Sequence, residues 1–290
     1  MGSGHFVVAM FERLVALRMA EEKLDEKAAI AAVIRDNLFG LELDPRCTQI
    51  GAFNLALAAW RRVGHCALPA MNLACSGLAP NTKLEDWLKL AGDNEKLRNG
   101  MERLFNLFEK AHVLGSLINP RHGADDMFVA DYHEVSNLLQ QSLQSESTSS
   151  FNLQPSSLES AVTARGLAKA AEILAGQFTL VATNVPYLGR GKQDDVLKDF
   201  CAGLYPTSKA DLATVFVERC NELCAKGGTA ALVAPQNWLF LHTYRKLREA
   251  FLATIQVNII AELGSGPPFL SWCPEGKETL RYEVPGEGMV

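Results

Sequence analysis

The sequence predicts an α/β fold, a parallel β-sheet covered by helices on both faces, and three observations predict it. Short apolar, β-prone runs at 38–43, 71–75, 178–183, 229–234 and 255–263 alternate with longer stretches of helical period. Turn and cap residues such as Asp44-Pro45 and Gly227-Gly228 punctuate the runs. Of the 290 residues, 48% are hydrophobic, enough for a substantial core.

The elements follow in order. Phe6, Met10, Leu14 and Leu17 recur at helical spacing, with Glu12, Arg13 and Arg18 between them, so 6–23 is a helix that opens after Gly2-Ser3-Gly4. The run LFGLEL at 38–43 is short, apolar and bounded by turn residues, which makes it a strand. Asp44 then caps a helix with Pro45 at its first position, running to about Arg62. Residues 71–75 form a second buried strand. From 81 to 176 the alternation breaks into helices at 84–90, 95–114, 132–144 and 158–174. The polar run QQSLQSESTSS between the last two has linker composition, and the whole stretch reads as an insertion. Alternation resumes with a strand at 178–183, a helix at 209–225 ending before Gly227-Gly228, a strand at 229–234, a helix at 241–253 and a strand at 255–263. The organisation is therefore 1–80, an insertion at 81–176, and 177–290.

Composition narrows the function. No apolar run reaches the roughly 18 residues of a membrane span, and the opening MGSGHF lacks the basic region of a signal peptide. Seven scattered cysteines without a CxxC spacing argue for reduced thiols in a cytoplasmic protein, without a disulfide framework or zinc ribbon. Cys220 and Cys224, one helical turn apart, read as core. Net charge is −5, which counts against nucleic-acid binding by this segment alone, since phosphate contacts dominate such affinity. Arg190 with Lys192, and Tyr244 to Arg248, are local basic clusters whose plain reading is a solvated loop and a solvated helix face.

Three features carry chemistry. Gly2-Ser3-Gly4 opens a helix, where glycines permit close backbone approach and the first N–H groups lack partners. Glu42 ends the next strand, where an acidic residue accepts both hydroxyls of a ribose; Asp44 already serves as helix cap. Asn184-Val185-Pro186-Tyr187 follows an apolar strand, so an amide and an aromatic ring stand at a strand's carboxyl end, where open α/β sheets bind ligands. A glycine- and cation-rich LGRGK follows. The plain alternative is a turn, because Asn and Pro are common turn residues.

On these residues the chain resembles the S-adenosylmethionine-dependent adenine-N6 DNA methyltransferases, in particular the PglX type of BREX phage-defence systems. GSGHF is similar to the end of the family's cofactor loop, NLFGLELDP to its ribose-binding strand, and NVPYLGRGK to its catalytic loop. DLATVF (211–216), GGTAALVAPQNWLF (227–240) and the ELG before Ser265 are similar to its later sheet. The resemblance covers nearly the whole chain. It implies a Rossmann-like sheet with a helical insertion whose first strand is missing, because Met1 falls inside the cofactor motif. It implies S-adenosylmethionine held by Gly2, Ser3, Gly4, Phe6, Glu42 and Asp44. It implies that the Asn184 side-chain oxygen and the Val185 carbonyl accept from an adenine amino group, with Pro186 and Tyr187 completing the catalytic loop and Tyr187 stacked on a flipped base. Arg190 and Lys192 become candidate DNA contacts, and no metal is required. Double-stranded DNA is the implied substrate, other phage-defence subunits are implied partners, and no membrane is. At Ser76 and Gly77, where relatives carry an acidic or amide residue near the cofactor's adenine, no such contact is assigned. The polar tail GKETLRYEVPGEGMV carries no target-recognition domain, so the chain reads as part of a longer enzyme. Two other readings remain at this point: a protein-glutamine methyltransferase, which shares an NPPY of the same geometry, and an inactive or scaffolding fragment. A dehydrogenase is disfavoured because Val7 stands where GxGxxG needs its third glycine.

Overall fold

The computed structural model describes residues 1–92, 94–121 and 155–261. The expected helix at 132–144 and the Ser/Gln linker lie outside them. The chain divides into two units, Met1–Arg248 and Glu249–Val290, and the first carries both sheets.

Helix α1 (His5–Glu22) starts after Gly4. Helix α2 (Glu26–Asp36), absent from the sequence reading, is capped by Asp25, whose Oδ1 accepts from Ala28 N at 2.7 Å. Strand β1 (Phe39–Glu42), helix α3 (Pro45–Val63) and strand β2 (Asn72–Cys75) form a parallel crossover unit that pairs Phe39 with Asn72 and Glu42 with Cys75. Asp44 caps α3 with Pro45 in its first turn, as expected. Strand alternation sorts the side chains onto two faces. Leu73 packs with Phe11, Val15, Ile30, Val33 and Leu55 of α1–α3. Leu41 and Ala74 pack on the other face against α4 (Leu84–Lys89), α5 (Glu95–Phe108) and α7 (Pro155–Ala175), with Trp87, Met101 and Leu104 fully buried. The indole N–H of Trp87 is satisfied by the Met101 carbonyl at 2.9 Å. Between α5 and α7, the expected helix at 95–114 breaks at Glu109–Lys110, and a short α6 (Ala111–Leu114) leads into a 3-10 turn, Gly115–Leu117.

The second ladder comprises β3 (Phe178–Asn184) and β4 (Cys224–Val233), again parallel, with Asn184 opposite Val233, and helices α8 (Asp195–Leu204) and α9 (Leu212–Leu223) lie between them in the chain. Asp194 and Asp211 cap the two helices through Val196 N and Ala213 N, each at 2.8 Å. Helix α8 was not expected, and the helix expected at 209–225 is trimmed at both ends. Leu197, Cys201, Tyr205, Leu212 and Val215 form their core with Leu117.

Three further expectations change. The expected single sheet is two two-stranded ladders: among the described residues no hydrogen-bonded pairing joins β1 to β3. The rings of Phe39 and Phe178, the first residues of those strands, do meet, with centroids 5.1 Å apart. Gly227-Gly228 is no turn: β4 starts earlier, at Cys224, and runs through Gly227 at φ 78°, with a register shift against Phe178–Leu180. Glycine takes that left-handed backbone without a Cβ clash, so an irregularity replaces a break. Residues 255–261 carry no strand, because no neighbouring strand pairs with them among the described residues. Before them, 3-10 turns at Gln236–Leu239 and His242–Tyr244 lead into α10 (Arg245–Thr254). There Tyr244 is buried, and the Arg248 guanidinium donates to Trp238 O and Leu241 O at 2.7 and 2.8 Å, so this basic cluster is partly structural.

Candidate active site

The glycine turn and the acid at 42 come together. Gly2 donates its amide to Glu42 Oε2 at 2.6 Å, and the Met1 ammonium lies 3.2 Å from the same oxygen. The other oxygen, Oε1, accepts from Leu43 N and Asp44 N at 2.9 and 3.3 Å. Burial opposes ionisation of Glu42, but the ammonium and these N–H donors outweigh it and hold its pKa below the usual value. Gly2 sits at φ 60° with open space where a Cβ would project. Gly4, at φ 94°, is pinned instead: a Cβ there would lie 2.9 Å from Gly51 Cα of α3. Ser3 O accepts from Asn54 Nδ2 at 2.9 Å, and Ser3 Oγ pairs with His5 Nδ1 at 3.1 Å. Phe6 is half-buried in the first turn of α1. Asp44 is committed to α3: Oδ1 accepts from Arg46 N and Oδ2 pairs with the Arg46 guanidinium, which holds its pKa down to about 2.

Asn184 is the last residue of β3 and is exposed. Its Oδ1 accepts from the Tyr187 hydroxyl at 3.2 Å, and Tyr187 is 55% exposed. Val185 is buried and extends the ladder, its N–H donating to Val233 O at 3.2 Å, which fixes the turn beneath an exposed Pro186. Helix α9 then holds the loop: Leu212 N donates to Leu188 O, Arg190 N donates to Ala210 O, and Gly189 bridges Asp211. The Arg190 guanidinium reaches Lys198 O at 3.2 Å, so it braces α8, whereas Lys192 is exposed. Asn184 and Glu42 end two strands whose first residues, Phe178 and Phe39, meet ring to ring at a tilt of 49°.

Sequence reasoning assigned no contact at Ser76 and did not single out Gln193 or Arg219. Ser76 is fully buried, and its N–H and hydroxyl both lie on Glu42 O, at 2.7 and 3.3 Å. Gln193 is buried behind the loop: it donates to Leu188 O at 3.0 Å, while its Oε1 has no partner among the described residues. Arg219 is buried on α9. Its signal was present, since Leu212, Val215, Arg219 and Leu223 repeat at helical spacing and put a charge on the apolar stripe. Cys220 is core as read, and burial raises its thiol to about 12, whereas Cys224 is half-buried and opens β4 instead of continuing the helix, with its thiol raised by the burial it has. Among the described residues no cluster of His, Cys, Asp and Glu is arranged for a metal, and no helix is long and apolar enough to cross a membrane.

Comparison with known proteins agrees with the motif reading. The chain is 30% identical over 268 residues to the adenine-specific methyltransferase PglX of Lacticaseibacillus casei (strain Zhang), covering 91% of this chain and 21% of that protein. It is 25% identical over 288 residues to the adenine-specific methyltransferase BrxX of Escherichia coli O9:H4 (strain HS), covering 91% of this chain and 23% of that one. The chain therefore spans about a fifth of the length of these curated relatives. The model of the Eco57I restriction-modification methylase family matches residues 36–269, most of the sequence, and the chain belongs to that family.

Proposed function

We propose that this chain is the catalytic segment of an adenine-N6-specific DNA methyltransferase that marks host DNA in phage defence, acting in the cytoplasm with other defence subunits. The observation that carries the reading is the Asn184 carboxamide oxygen, exposed at the carboxyl end of β3 and within 3.2 Å of an exposed tyrosine hydroxyl. Residues 1–80 form the cofactor half, 81–176 the insertion and 177–290 the catalytic half.

The chain's residues fit S-adenosylmethionine. The open backbone at Gly2, with Ser3, Gly4 and Phe6 at the start of α1, suits an amino-acid carboxylate. Glu42 suits ribose hydroxyls, and Asp44 borders the pocket as the cap of α3. When bound, S-adenosylmethionine supplies an electrophilic methyl on a sulfonium. An adenine amino group is a poor nucleophile because its lone pair is delocalised into the ring. Asn184 Oδ1 and the Val185 carbonyl accept its two hydrogens, favour a pyramidal nitrogen and offset the positive charge that grows on it. Pro186 stiffens the turn, which matters because positioning supplies much of the acceleration. Tyr187 stacks on the base once it has rotated out of the duplex, and Lys192, with Arg190 beside it, offers charge to the phosphates.

Methyl transfer from labelled S-adenosylmethionine to double-stranded DNA, by the full-length protein that carries this chain, tests the reading. Asn184→Ala abolishes transfer, a loss of at least about 100-fold for a preorganised acceptor. Undiminished transfer in that variant removes Asn184 from catalysis.

A further inference from the structure

Arg219 is 1% exposed, the largest charged side chain buried among the described residues. Its Nε donates to Ser116 O at 3.1 Å and its Nη2 to Ile118 O and Leu174 O at 2.9 and 3.1 Å. Its Nη1 pairs with Glu222 Oε2 at 3.0 Å, and that oxygen also accepts from Asn119 Nδ2 at 2.8 Å. One guanidinium and one carboxylate on α9 therefore hold Ser116, Ile118 and Asn119. An apolar side chain of similar size would leave those carbonyls without this donor, which is how so costly a buried charge is retained.

The other side of the same turn meets the carboxyl ends of β1 and β2. Ser116 Oγ lies 3.0 Å from Ser76 Oγ, which is bonded to Glu42 O. At Gly115, φ 49°, a Cβ would come within 2.8 Å of Leu43 Cδ1, so the turn closes directly over the residue after Glu42. The glycine loop lies against Glu42 through Gly2, whereas the Ser76–Ser116 pair lies towards β2. A nucleoside whose ribose is held at Glu42, with its amino-acid end at Gly2, extends its base over the end of β2, where this turn stands.

We propose that the 115–119 turn is the outer wall of the nucleoside pocket, with Ser116 its contact residue and Arg219 the positioning residue that sets it. The proposal rests on the reading of Glu42 as ribose ligand. Because the first turn of α9 also holds the Asn184 loop, one helix sets both the base-binding loop and this wall.

Calorimetric binding of S-adenosylhomocysteine and of 5′-methylthioadenosine, which lacks the amino acid, tests it on the chain, on Ser116→Val, on Arg219→Met and on the double variant. Each single variant weakens both ligands by a similar factor of about tenfold, and the double variant loses little more, because Arg219 acts through the turn. Ser116→Val keeps the melting temperature of the unsubstituted chain. Where Arg219→Met does not fold, Glu222→Gln, on the same anchor, takes its place with the same expectation. Affinities within about twofold of the unsubstituted chain, losses that add, or losses confined to S-adenosylhomocysteine overturn the inference. An unsubstituted chain that binds neither ligand overturns the reading of Glu42 and the inference with it.

Discussion

At the scale of residues, Tyr187 holds two roles in tension. Its hydroxyl lies on Asn184 Oδ1, the oxygen proposed to receive the substrate amine, while its ring is proposed to stack on the base. Removing the ring and removing the hydroxyl therefore have different effects. Tyr187→Ala removes the stacking platform and lowers kcat/KM for DNA methylation by about 10- to 100-fold, the range of base–aromatic stacking. Tyr187→Phe keeps the platform and releases Asn184 Oδ1, so its loss is at least several-fold smaller; equal losses in steady-state assays would show that stacking is not the role. Asn184, Glu42 and the glycine turn were legible because each combines a special residue type with the end of a predicted element. Ser76 and Ser116 were not, since a serine carries no signal until the backbone brings two hydroxyls within 3.0 Å.

Elements were legible where period and cap coincide. Asp44-Pro45 marked α3 to the residue, and its carboxylate does the work expected of a cap. Its charge adds a pH signature. The Arg46 guanidinium and N–H lower its pKa from 3.8 to about 2, so its ionic contribution is fully present above 3.8 and is lost as pH falls through about 2. Asp44→Asn keeps the capping oxygen and removes the charge. Its melting temperature should lie below that of the unsubstituted chain at neutral pH, and the gap should close between those two values; a gap independent of pH would contradict the ion pair. Helix α8 was missed because its apolar stripe is short, with only Leu197 and Cys201 buried along ten residues. The pairing of strands was not legible either, since an apolar run shows that a strand is buried but not which neighbour it bonds.

At the scale of the whole molecule, two clusters make up most of the core of the first unit, and their membership is unequal in sequence. The cluster of α1–α3 is built from one continuous stretch. The other takes Trp87, Leu97, Met101 and Leu104 from before residue 122 and Ala164, Leu167, Ala168 and Ala171 from after 154. Arg219 adds a polar tie across 103 residues of chain to Ser116. An apolar seam and a buried polar tie therefore join the stretches on either side of 122–154. Two polypeptides, 1–121 and 155–290, expressed separately should co-purify as a complemented pair, and Arg219→Met in the second should weaken their union. Independent elution of the halves would mean that the uncut backbone, rather than the apolar seam, keeps them joined.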